Sequence, residues 1–595
     1  MDQPVRRSHG QPFRNAVIIM KNSNGNTLQI QVDEKGFYKG FNKIVALSSK
    51  LIIILIVVWA ASNPEVAGKI LDDMKNWSFD NLKYYYNWVV GFFISVCLVI
   101  AVYPRWGRIK LGSDGAKPEF SNFSWFSMMF GAGIGIGMLG FATGEPITYM
   151  DDNPAIRAST LEISSALSQA GISIPQDSST WEVYRSQVAS GTLPDLALTG
   201  SVLVEPRTLS TVTTVFRYEF LHWGISAWCC YALVGIALAF FAYRKGQPLT
   251  IRSTLTPLFG QHLQGGLGHI VDITAVVATI LGISQTIGLG LSTFAAGVFN
   301  ITGWQWLVTT GVTPEPTLAA LLLALAIVML CSTVSALSGV GKGIKWLSNI
   351  NMVLSFGLLA FFLVFGSTLF FLSILAAGLV DYLIHLPVLT FYVFPTQEPG
   401  SPGEWQAWWS IFYWAWWIAF APFVGMFLAR ISKNRTIREF IVGAVLAPSL
   451  MCFIWFTLLG GTAIDLELSG IAEGSIYAKT LTAQLFEVIN VLLDSWLAIA
   501  MSFLIVILLL TYLVTSADSA ALVANIISAG GETERAPKSQ IIIWGLLITA
   551  VIAALLLAGG LGAIQAAMII GAIPFSFIML LMGISLLKGL LQEET

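Results

Sequence analysis

Six of the twenty Trp in this 595-residue chain fall between Trp405 and Trp417, in the run Glu-Trp-Gln-Ala-Trp-Trp-Ser-Ile-Phe-Tyr-Trp-Ala-Trp-Trp. A second group holds Trp223, Trp228 and Tyr231. Trp228 and Tyr231, spaced i and i+3, share a helix face, and a continuous helix would place Trp223 on that face roughly a turn and a half earlier. Aromatic side chains gathered in this way can hold a methylated onium group. Such a cation donates no hydrogen bond, and each desolvated aromatic face is worth about 2 kcal/mol or more to it. Plainer readings compete for part of the set. Trp405, Trp408 and Trp409 fit an interfacial aromatic belt at the outer end of a membrane span, and core packing alone would explain the second group. Trp414, Trp416 and Trp417 lie one to two turns deeper, where a belt does not reach. No carboxylate is expected to act as partner to an onium group held by these residues, which favours a zwitterion over a bare cation.

A third candidate is Gly131-Ala132-Gly133-Ile134-Gly135-Ile136-Gly137. Each glycine lowers helix stability by about 1 kcal/mol relative to Ala, and alternate positions do not line one helix face. Helix packing explains part of the pattern. A locally unwound stretch that lines a cavity explains more, since irregular backbone at membrane depth is tolerated only there. Charge inside the apolar runs is scarce, with Asp272 and Asp518 the clearest carboxylates; both could be functional or structural. Enzyme chemistry finds little support. His9, His222, His262, His269 and His385 form no HExxH pair, the five Cys form no CxxC pair, and GxSxG is absent. A channel would show repeated carbonyl filters or charged rings, and none is seen.

The elements that must position these residues follow from composition. Apolar residues make up 55% of the chain and charged residues only 11%, against about 25% charged in soluble proteins. Thirty-two Lys and Arg nearly balance 34 Asp and Glu, so no nucleic-acid partner is implied. The sequence predicts an all-α integral membrane protein. Twelve spans are expected near 45–62, 87–103, 124–150, 212–243, 267–300, 317–338, 349–372, 407–429, 441–463, 497–528, 540–558 and 565–587. Basic residues concentrate on the side of the N-terminus, among them Arg105, Arg108, Arg244, Lys245, Lys342, Arg430, Arg435 and Arg535. That asymmetry places both termini in the cytoplasm of a bacterial-type plasma (inner) membrane. The polar stretch before the first span reads as a cytoplasmic tail, 1–44, and not as a cleavable signal peptide. Two peripheral helices occupy 45–122. The polar connection 151–211 is either an external cap or a disordered insertion. The stretch 373–404, interrupted by Asp381, His385 and several prolines, reads as an interfacial helix and loop.

The run from Trp409 through Tyr413-Trp-Ala-Trp-Trp417, continuing through Pro422-Phe-Val-Gly-Met-Phe-Leu-Ala-Arg430-Ile-Ser to Arg435-Thr-Ile-Arg-Glu-Phe440, closely resembles the betaine/choline/carnitine transporter family. The likeness runs from about 45 to 590, excluding the 151–211 insertion. It implies a leucine-transporter-like core of two inverted five-helix repeats, spans three to seven (123–372) and eight to twelve (405–588), before a short cytoplasmic tail at 589–595. It also implies a homo-trimer in the lipid bilayer and import of a small osmolyte by alternating access. Carried over by motif, the aromatic box would be Trp223, Trp228, Tyr231, Trp416, Trp417 and Phe420, with Gly133, Gly135 and Gly137 alongside and Trp414 on the cytoplasmic path. The family's betaine carriers usually have Trp at the position of Phe420. Na+ is the implied coupling ion, with no other cofactor. Its site would comprise Ala132, Ile134, Tyr512, Thr515 and Ser516. A second family sodium site would use Thr279 and the Phe423 ring, but its other Thr is Ile283 here, so that site is expected to be weakened or absent. Glycine betaine, trimethylamine N-oxide and dimethylsulfoniopropionate are the expected substrates. Thr515 and Ser516 argue against a sodium-independent exchanger, and the ending Leu-Leu-Gln-Glu-Glu-Thr595 implies that regulation by a long basic tail is lost.

Overall fold

The computed structural model describes residues 15–18, 28–133, 135–311, 313–338, 345–531 and 537–594. Ile134, most of the predicted tail and Thr595 lie outside the described residues. Numbering the longer helices in chain order, α1 is Lys43–Ser62, α2 Pro64–Val102, α3 Asn122–Gly133 and α4 Ile136–Asp151. Next come α5 Pro154–Gln169, α6 Thr180–Ala189, α7 Leu209–Trp223, α8 Ile225–Ala239 and α9 Gly266–Thr302. The second half holds α10 Leu318–Ser338, α11 Lys345–Phe365, α12 Thr368–Phe391, α13 Phe412–Ile431, α14 Ile437–Leu468, α15 Ser495–Ser528 and α16 Lys538–Glu594. Among the described residues the only sheet is the antiparallel pair β1 Asn15–Ile18 and β2 Ile30–Asp33.

Among the described residues, eleven helical segments are long and apolar enough to cross a bilayer. A helix is favoured there because it satisfies every backbone donor and acceptor within itself. Large apolar side chains such as Leu55, Leu98, Val353, Val364, Leu369 and Ile384 stand exposed on their outer faces. In water such a surface would drive aggregation, whereas lipid covers it.

Three helix interruptions shape the interior. Helix α3 stops at Gly133, and α4 begins after Gly135, whose backbone is fully extended (φ −156°, ψ −176°). This is the break that the alternating glycines predict. Gly224 (φ −95°, ψ −132°) separates α7 from α8, so Trp223 lies before a break and not on one continuous face with Trp228, as the sequence spacing had suggested. Within α16 the helical path fails at Gly559 and Gly560, the latter at φ 63°, a conformation open mainly to glycine.

Close backbone approach sets the neighbours. A Cβ on Gly425 of α13 would lie 2.7 Å from Val234 and 3.0 Å from the Gly235 nitrogen of α8. Small residues on both sides let these two helices meet, as is common in membranes. Gly282 of α9 meets Ala419 of α13 in the same way, and Gly460 of α14 meets Ala142 and Pro146 of α4.

The connection between α4 and α7 folds into a cap, which removes the disordered alternative. Asn153 caps α5, and Ser179 with Glu182 forms a capping box on α6. Ile163, Leu167, Trp181 and Tyr184 make a small core between the two helices. Arg157 binds Asp152 and Glu404, and Arg207 pairs with Asp151, which ties the cap to the helix ends below it.

The predicted interfacial stretch starts earlier than expected, since α12 is continuous from Thr368 to Phe391 and is one of the eleven apolar segments. The reason is pairing: Asp381, whose charge had suggested an interface, receives both arms of the Arg217 guanidinium of α7 at 2.6 and 2.8 Å. At the chain start, residues 28–42 pack on the body. Leu28 and Ile30 are buried, the Leu28 N–H donates to Gln247, and Phe41 packs with Ala46 and Ala529. Lys50, buried in α1, bonds Gln540 and sits over the rings of Tyr38 and Trp544.

Candidate functional site

Helices α7, α8 and α13 bring all six predicted aromatic side chains into one connected set. Ring centroids of Trp223 and Trp417 are 5.0 Å apart at 67°, and those of Trp223 and Trp416 are 6.0 Å apart at 76°. Trp416 and Trp417 stack at 5.0 Å. Tyr231 is 6.0 Å from Trp417, 6.4 Å from Phe420 and 5.3 Å from Trp228. The steep angles set Trp223 and Tyr231 edge-on to the Trp417 indole. Polar edges are tied off elsewhere: the Trp416 indole N–H donates to Thr286, that of Trp417 to the His222 carbonyl, and that of Trp414 to Asn87 of α2. With each N–H bonded, the rings keep fixed orientations.

The glycine break meets this set. A Cβ on Gly137 would lie 2.8 Å from Cη2 of Trp223 and 3.3 Å from Cη2 of Trp416, so only glycine leaves both indoles in place. A Cβ on Gly135 would meet nothing within 4 Å, which marks open space at the break. Gly133 and Ala132 end α3 on its other side. Phe141, one turn into α4, stands 6.0 Å from Trp223 and 6.1 Å from Trp416. It also lines a cavity of about 470 Å³ shared with Arg157, Gln285, Glu404, Trp408 and Trp409.

Three of the five predicted sodium ligands, Tyr512, Thr515 and Ser516, lie along α15, and Ala132 is near the end of α3. Ile136, just past the break, and Leu513, next to Tyr512, both approach Gly290 of α9. The Thr515 hydroxyl donates to the carbonyls of Thr511 and Tyr512 and receives the Asn351 amide at 3.2 Å. The Asn351 side-chain oxygen is buried with no donor among the described residues. Unpaired oxygen beside a hydroxyl suits a hard cation that wants oxygen ligands, so the residues present fit Na+. Ser516 follows on the same helix. At the second predicted site Thr279 turns its hydroxyl back to the Ala275 carbonyl at 2.7 Å, and Ile283 is fully buried without an oxygen to offer. Phe423 packs on Phe420 at 5.0 Å.

Several functional expectations need correction. Trp405 is no belt residue: it is 1% exposed, and its N–H donates to the Asp152 carbonyl under the cap. Buried charge is also richer than expected. Glu145 and Glu219 are both fully buried, and Glu145 lies directly behind the box. One of its oxygens accepts the Trp223 N–H at 2.8 Å and the Tyr413 O–H at 2.7 Å, and the other accepts Tyr149. A carboxylate therefore does adjoin the box, but its acceptor sites face protein donors and not the enclosed space. The signal was available as acidic residues inside apolar spans, which are functional candidates by default. Asp272 has a structural partner: it forms a buried ion pair with Arg252 at 2.6 Å and also accepts the Arg252 backbone N–H. Asp518 accepts Ser335 at 2.7 Å.

Comparison with known proteins follows the same residues. The family model described as "BCCT, betaine/carnitine/choline family transporter" matches residues 44–185 and 199–595. The match includes most of the cap, so the likeness omits only 186–198 and not the whole of 151–211. The glycine betaine transporter OpuD of Bacillus subtilis is 34% identical over 90% of this chain and 92% of its own length. A glycine betaine/proline/choline transporter of Vibrio parahaemolyticus is 34% identical over 93% of this chain and 90% of its own. The betaine/ectoine transporter LcoP of Corynebacterium glutamicum is 34% identical over 94% and 80%.

Proposed function

From the premise that this chain belongs to the betaine/carnitine/choline transporter family, we propose that it imports a compact methylated-onium osmolyte together with Na+. It is a multi-pass membrane protein and a transporter, not an enzyme. Glycine betaine is the leading substrate, followed by trimethylamine N-oxide and dimethylsulfoniopropionate, all of which present a methylated onium group. The observation that carries this reading is the gathering of Trp223, Tyr231, Trp416 and Trp417 into one ring cluster, with Trp223 and Trp416 set against Gly137 beside the helix break. An onium group there meets only π faces, with every indole N–H of Trp223, Trp416 and Trp417 already bonded.

In this reading the architecture is twelve spans with two inverted five-helix repeats, the breaks at Gly135 and Gly224 lying where discontinuous helices build such sites. Helix α12 is the interfacial element between the repeats, both termini are cytoplasmic, and the protein is a trimer in the inner membrane. Phe420, smaller than the Trp of the family's betaine carriers, widens the box beside Tyr231. Thr515 and Ser516 with the Ala132 and Tyr512 carbonyls take one Na+, while Ile283 leaves the second site without a ligand. Competition decides the substrate. Uptake of labelled glycine betaine into proteoliposomes should be displaced by trimethylamine N-oxide and dimethylsulfoniopropionate and less well by choline and carnitine. Displacement by choline alone would contradict the zwitterion assignment.

A further inference from the structure

Glu219 stands on α7 one turn before Trp223 and on the same face. It is fully buried, and neither carboxyl oxygen receives a donor from any side chain or backbone among the described residues. The polar group it faces is the carboxyl of Glu145. Glu145 already accepts three hydrogen bonds, from Tyr149 on one oxygen and from Trp223 and Tyr413 on the other, which leaves it room for one further donor. His222 Nδ1 lies 3.5 Å from the Tyr149-bonded oxygen, and Cys452 of α14 neighbours Glu219. Two carboxylates in such surroundings cannot both be ionised, because burial removes the water that would screen them. Glu145 receives donors on both oxygens and Glu219 on neither. The hydrogen that links the pair then has to be carried by Glu219.

We propose that Glu219 and Glu145 form a proton-binding site behind the aromatic box, holding one proton on Glu219 that keeps Trp223 and Tyr413 in place. Loss of that proton to water sets two negative charges against each other and pulls Glu145 from the indole and phenol it anchors. A hydrogen-bonded chain leads away from the pair: Tyr149 lies 2.9 Å from His222 Nδ1, and His222 Nε2 lies 2.9 Å from Ser410. Ser410 is next to Trp409, which lines the cavity of about 470 Å³. The proton thus has a route of exchangeable groups as far as Ser410. Glu219 and Glu145 are positioning residues here, acting on substrate through Trp223, and the effect on transport rests on the proposed function of the box.

Infrared difference spectroscopy of the purified protein in liposomes tests the site without requiring transport. Wild type minus Glu219→Gln should show a buried carboxylic-acid C=O band; its absence overturns the proposal. Uptake supplies the second readout. In wild type, KM for glycine betaine should rise about tenfold per pH unit once Glu219 loses its proton, whereas the Glu219→Gln profile should be flat, because an amide still donates to Glu145. Parallel profiles would overturn the proposal. The wild-type band titrating over the same pH range as KM provides the same test should the variant not fold. A band lost with Glu219→Gln in protein that takes up no betaine would uphold the proton site and remove the transport reading instead.

Discussion

The proposed recognition of an onium group depends on ring faces held still. One desolvated face contributes about 2 kcal/mol, so Trp417→Ala should weaken substrate affinity about 30-fold, read as Kd by tryptophan fluorescence or as KM for uptake. Affinity within about twofold of wild type would exclude Trp417 from the box. Gly137 offers a steric test of the same space. In Gly137→Ala the new methyl meets Trp223 at 2.8 Å and Trp416 at 3.3 Å, and the displaced indoles should cost at least tenfold in affinity while thermal unfolding shifts by only a few degrees. The aromatic clusters and the glycine stretch stand out in the sequence by residue type and spacing, although core packing alone would explain Trp223, Trp228 and Tyr231, and Phe420 enters only through the family resemblance. Glu145 was not legible there, since its meaning depends on Tyr413, 268 positions away, and on Trp223, 78 away.

At the scale of elements, breaks and fasteners decide where those rings stand. The break before Gly135 could be read from four clustered glycines. The break at Gly224 could not, because one glycine inside an apolar run usually continues the helix, and only the crowding of Phe453 against its face shows the difference. Capping residues such as Ser179 and Glu182 carried the fold of the cap in principle, yet its core needs Trp181 to meet Ile163 across a turn. Among the fasteners, Arg252 and Asp272 anchor the start of α9, which supplies Thr286 to Trp416. Asp272→Asn leaves a buried guanidinium without its counter-charge and should cost about 3–5 kcal/mol of stability. Joint replacement of Arg252 and Asp272 by Met should recover most of that loss in thermal unfolding. A single variant as stable as wild type would show that the pair carries no structural load.

Across the whole molecule, the exposed apolar belt and the interior polar groups divide the chain between lipid and site. The scarcity of charge that composition records is real, but it hides Glu145 and Glu219 at the centre and Arg217 with Asp381 between α7 and α12. The proposed coupling ratio follows from the oxygen inventory. With Ile283 in place of a hydroxyl, the account expects one Na+ per substrate, measured as the ratio of the two fluxes in proteoliposomes. A ratio clearly above one would mean that a second ion finds ligands elsewhere. The most direct test of the central claim is uptake of labelled glycine betaine under an imposed inward Na+ gradient, with and without joint replacement of Thr515 and Ser516 by Ala. The account predicts saturable accumulation that follows the gradient and loses its Na+ dependence in the double variant. Accumulation indifferent to Na+ in the wild-type protein would contradict it.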